Sequence, residues 1–92
     1  MAEMDAARLV VAPARPVGTV GDKRVIFESR RDVSGQRVGL AFTNVERLVK
    51  AMGEEQPWVC LPLGALKQFH LAAGIDRLVV NAKFQRAAKG DK

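Results

Sequence analysis

The sequence has no tyrosine, one tryptophan, one histidine and one cysteine among its 92 residues. The lone Cys60 allows neither an internal disulfide nor a thiolate metal cage. The lone His70 has no acid or nucleophile at helical spacing from it. It therefore lacks the orienting partner of a general base and the companions of a metal ligand, and a half-buried structural role is expected. Four phenylalanines and the tryptophan fall mostly at core-looking positions, so no aromatic platform for stacking nucleic-acid bases is foreseen. No apolar run nears the roughly 20 residues that cross a bilayer. The opening MAEMDAARLVVAPAR puts acids where a secretory signal carries bases, so a cytoplasmic protein without a membrane partner is expected. The VGTVGDK stretch precedes a strand and lacks the Gly-Lys-Ser/Thr ending of a phosphate loop. No catalytic residues, metal or cofactor are predicted, and the chain reads as a non-enzyme.

What is present suits one small domain: 48% of residues are apolar and 27% charged. Residues 8–82 are expected to form it, with residues 1–7 and 83–92 as flexible termini. The net charge of +5 is unevenly spread: the last ten residues carry +3 and the other 82 only +2. Such a distribution is closer to a balanced body with a basic tail than to a nucleic-acid-binding surface.

Hydrophobic periodicity gives the element order β-β-β-α-β-α-β. RLVVAPAR (residues 8–15) reads as a strand whose prolines place its far end on an edge or outside the sheet. RVIFESRR (24–31) and RVGLAF (37–42) alternate in apolar residues and form a hairpin around DVSGQ, where Gly35 can take a positive φ. Thr43 and Glu46 have capping-box spacing. Val45, Leu48, Val49 and Met52 follow at i, i+3, i+4 and i+7, and Gly53 ends the helix. PWVCL (57–61) is apolar without alternation and reads as a strand buried on both faces, with Cys60 as a small buried hydrophobe. Pro62 opens a second helix with Leu63, Leu66, Phe69, His70 and Ala73 inward, Gly74 closes it, and IDRLVV (75–80) is the last strand.

The predicted class is α+β, with a five-stranded mixed sheet and two helices packed on one face. Parallel right-handed crossovers would link the last three strands. Two helices on one face would leave the other face apolar and uncovered, so a second copy of the chain or another protein should cover it. The expected function is a small interaction or regulatory module, homodimeric through an apolar sheet face or edge. Val25, Phe27, Val38, Leu40, Trp58 and Val79 are its candidate interface residues, and alternation does not say which of them face the helices. The alternative is a nucleic-acid-associated regulator, with Arg24, Arg30 and Arg37 of the hairpin and Lys83, Arg86 and Lys89 of the tail as candidate phosphate contacts.

One resemblance bears on these expectations. The strand end and helix start AFTNVERL (41–48), the helix-closing Gly53, the segment WVCLPLGAL (58–66) and the strand GIDRLVVN (74–81) together resemble the SseB N-terminal-domain family. The nearest type is its small single-domain members common in actinobacteria. The similarity spans roughly residues 8–81. Many members continue into an Asp-Pro or Asn-Pro dipeptide, whereas here Asn81 is followed by Ala82. The resemblance implies an α/β domain with no established catalytic motif.

Overall fold

The computed structural model describes residues 5–83. In chain order these form β1 (Leu9–Thr19), β2 (Asp22–Phe27), β3 (Ser29–Arg31), β4 (Arg37–Ala41), α1 (Val45–Met52), β5 (Trp58–Pro62), α2 (Leu63–Ala72) and β6 (Leu78–Val80). The order matches the periodicity, with one strand divided: the second breaks at Glu28 into β2 and β3.

That break reshapes the sheet. Two three-stranded sheets form instead of one of five strands, in the orders β2-β1-β5 and β3-β4-β6. The β2–β3 segment pairs first with β1 and then, past Glu28, with β4, both antiparallel. The Glu28 N–H donates to the Pro13 carbonyl at the corner, 2.9 Å away. Val11 and Phe42 exchange two backbone hydrogen bonds of 2.8 Å, which join the sheets directly. Strand β1 is thus the spine. Its first half pairs with β5 and its second half with β2. It runs to Thr19, past both prolines. The Ala14 N–H donates to the Pro57 carbonyl. By alternation, the N–H that Pro16 lacks would point to the edge beyond β5, where no ladder bond is lost.

Of the expected parallel neighbours, one pair is found, and it is not made of successive strands. Strands β4 and β6 are parallel, with Ala41 opposite Val80. Strand β5 does not join them; it pairs antiparallel with β1. The helices consequently lie on opposite faces, not on one. Leu63 and Leu66 of α2 pack on Val10, Ala12 and Ala41. Leu48 of α1 packs on Val11, Val38, Leu40 and Phe42. Because successive strand residues point to opposite faces, Val10 and Val11 in β1, like Leu40 and Ala41 in β4, serve different helices. The inference of one wholly bare sheet face therefore fails.

Local chemistry sets the ends of the elements. The α1 cap is Asn44, not Thr43: Asn44 Oδ1 accepts from the Arg47 N–H at 2.9 Å. Thr43 instead donates its N–H to Asn81 Oδ1 at 3.0 Å, and its hydroxyl accepts from Asn81 Nδ2 at 3.1 Å. Asn81 has φ 59°, a left-handed conformation that asparagine tolerates better than most residues. Helix α2 has no side-chain cap. Its first N–H groups, on Leu63 and Gly64, donate to the carbonyls of Arg8 and Ala6 at 2.8 Å each. The Ala6 carbonyl, just ahead of β1, is thus tied to the start of α2. In the β3–β4 hairpin, Asp32 Oδ1 accepts from the Ser34 hydroxyl and from the N–H groups of Ser34 and Gln36, while Oδ2 meets Arg77 at 3.1 Å. These partners, the Ser34 hydroxyl foremost, hold the Asp32 carboxyl below its usual range.

Candidate interaction surface

Helix α1 packs on β4, β6 and the middle of β1, and no residue of β5 belongs to that core. The register sets Leu9 opposite Pro62, Val11 opposite Cys60 and Pro13 opposite Trp58. All six side chains share the α1 face, since Val11 packs in the α1 cluster. Val11 and Pro13 are buried, whereas Leu9 is 59% and Trp58 43% exposed. Cys60 and Pro62 are exposed as well. An apolar strip of Leu9, Trp58, Cys60 and Pro62 is left open to water.

The strip lies along a strand edge. Strand β5 pairs with β1 on one side and with no other described strand. The Ala14–Pro57 bond, followed two residues at a time, turns the polar backbone of Val59 and Leu61 toward β1. Trp58 and Cys60 then present their N–H and C=O groups outward. No residue from Trp58 to Pro62 is charged, although charge is a common device by which an edge strand discourages pairing.

Burial divides the predicted interface residues. Val38 and Leu40 are 4% and 1% exposed and form the α1 core. Val79 packs against that core and Phe27 against the α2 core. Val25 and Trp58 remain open. Leu9, Cys60 and Pro62 were not foreseen. Cys60 is expected to be buried, and it is exposed because its side chain points to the α1 face, where the α1 core takes in no β5 residue, whereas Leu61 on the other face packs against the α2 core. Adjacency to β1 is a long-range fact, and no local signal in PWVCL encodes it.

The register sets Arg24, opposite Val17, and Arg30, opposite Val38, on the α1 face and parts Arg37 from them. Arg24 pairs with Asp22 at 3.3 Å. Arg30 lies opposite Val38 and Arg37 opposite Arg31, so Arg30 and Arg37 project from opposite sheet faces. Lys83 lies at the end of the described chain, and Arg86 and Lys89 lie outside the described residues.

His70 is more buried than expected, at 3% exposed. Its ring lies over Gly39, where a Cβ would come within 2.6 Å of it. Phe27 flanks it with ring centroids 6.0 Å apart, and Phe69 stacks on Phe27 at 5.2 Å. The buried Nε2 has no hydrogen-bond partner among the described residues, and burial lowers the His70 pKa. A neutral imidazole packed on a bare glycine is a core element here. Among the described residues, no group of three or more His, Cys, Asp or Glu side chains could hold a metal ion. No described helix is long and apolar enough to cross a membrane.

No family model, curated protein or solved structure matches this chain.

Proposed function

We propose that this chain is a non-enzymatic interaction module of the cytoplasm that pairs with a second copy of itself through β5. The observation that supports the reading is the uncharged free edge of β5, bordered on the α1 face by the apolar strip Leu9, Trp58, Cys60 and Pro62. Antiparallel pairing of β5 with its copy would satisfy both outward backbone groups of Cys60 and the outward N–H of Trp58, whose carbonyl would face the N–H-less Pro62, and would give a two-fold interface. A register centred on Cys60 would set Trp58 of each copy against Pro62 of the other, burying the largest exposed apolar side chain of the strip. The SseB-like pattern is in keeping with such a module, since the family carries no established catalytic motif.

Light scattering under reducing conditions tests the proposal. The expected mass is twice the 10.0 kDa of one chain at micromolar concentration, and Cys60→Lys, at an exposed side chain, should return it to one chain without loss of fold. A monomeric native protein at tens of micromolar would refute the pairing.

A further inference from the structure

A second surface, independent of β5, carries three cations that have no acidic partner among the described residues. Strands β4 and β6 run parallel, and their carboxyl ends lie side by side at Ala41 and Val80. Asn81 turns the chain there, with its N–H held by the Ala41 carbonyl at 2.8 Å. Ala82 then packs against the α1 core. The turn opens a hollow of about 460 Å³ between the strand exits and the flank of α1. Arg47 and Lys50 line it from the helix and Lys83 from the strand exit, with Ala51 and Ala82 as apolar surface and Asn81 at the bend. No carboxylate lines this hollow. Among the described residues, none of these three cations is in an ion pair.

We propose that this hollow binds a phosphorylated ligand through its phosphoryl oxygens. Three observations support it. Charge complementarity demands an anion, since the lining offers three cations and no acid. Arg47 supplies a planar fork suited to two oxygens of one phosphate, while Lys50 and Lys83 act as point charges. The position is the crevice outside the carboxyl ends of parallel strands, where open α/β sheets take their ligands. A hollow of this size has room for more than one phosphate group. A free polyphosphate ester and a nucleic-acid backbone offer the same chemistry.

The full chain is titrated with tripolyphosphate and, separately, with a generic DNA duplex, each at low and at physiological salt. Binding is followed by amide chemical shifts. Saturable tripolyphosphate binding that perturbs Arg47, Lys50 and Lys83 is expected. The Arg47→Ala/Lys50→Ala double variant, exposed and so compatible with the fold, should weaken it about tenfold or more. Lys67→Ala, which removes a charge from α2 on the other face, should leave it unchanged. A duplex that binds more tightly at the same residues, with a steeper salt dependence, supports the site and assigns it to a nucleic-acid backbone. A duplex that binds no better supports it and assigns it to a free phosphate ester. No saturable tripolyphosphate binding at low salt, or an equal loss in Lys67→Ala, would overturn the proposal, because general attraction to a basic protein would then suffice.

Discussion

At the scale of single residues, His70 ties stability to pH. Its imidazole is buried over Gly39, and desolvation disfavours the charged form in the fold. The folded-state pKa therefore lies below the ordinary value of 6.5, while the unfolded chain titrates near that value. Above it both states are neutral, and the contribution is fully present. As pH falls through 6.5 toward the lowered folded value, the unfolded state takes up the proton first, and stability drops. Urea denaturation between pH 7.5 and pH 5 should show this decline, and His70→Leu should flatten it. An unchanged slope in the variant would assign the decline to other groups. The sequence showed a histidine without a catalytic partner, and that much was legible. Its place over Gly39 was not, because the two residues are 31 positions apart in the chain and only the docking of α2 on β4 brings them together.

At the scale of elements, α1 shows what a local pattern can and cannot carry. Val45, Leu48, Val49 and Met52 were read as one inward face. The helix does form there, but Leu48 alone of the four is fully buried, among Val11, Val38, Leu40 and Phe42. Val49 is only half-buried. Leu48→Ala should therefore lower stability by about 2–5 kcal/mol, and Val49→Ala by distinctly less, as measured by chemical denaturation. Equal losses would mean that α1 is seated differently. The cap teaches a similar lesson. FTNVERL offers two hydrogen-bonding residues in succession, and the sequence does not rank them. Asn44 takes the cap because Thr43 is engaged by Asn81, 38 residues away. Strand β5 was legible as a strand and illegible as an edge. Its neighbours are set by where the crossover from α1 lands, and nothing within residues 57–61 specifies that. The break at Glu28 was equally hidden, as no glycine or proline marks it.

At the scale of the molecule, two sheets share one hydrogen-bonded seam and one spine. Helices on opposite faces draw their cores from alternate residues of the same strands, so neither core can loosen alone. Unfolding should accordingly be a single cooperative transition. The amides of Val11 and Phe42, which join the sheets, should exchange with solvent only through global opening, whereas those of Trp58 and Cys60 at the free edge should exchange far faster in any unpaired copy. Native-state hydrogen exchange resolves both. Protection at the seam well below the global value would show that the sheets open separately.

The spine also bears on how the chain is made. Strand β1 emerges from the ribosome before the other described strands, yet the partner of its first half, β5, follows about fifty residues later. Until Trp58–Pro62 arrives, the Val-rich start of β1 must wait with one flank unpaired. A chain so arranged folds slowly for its size and depends on late contacts, so a pause or truncation ahead of β5 would release a nascent product prone to clumping.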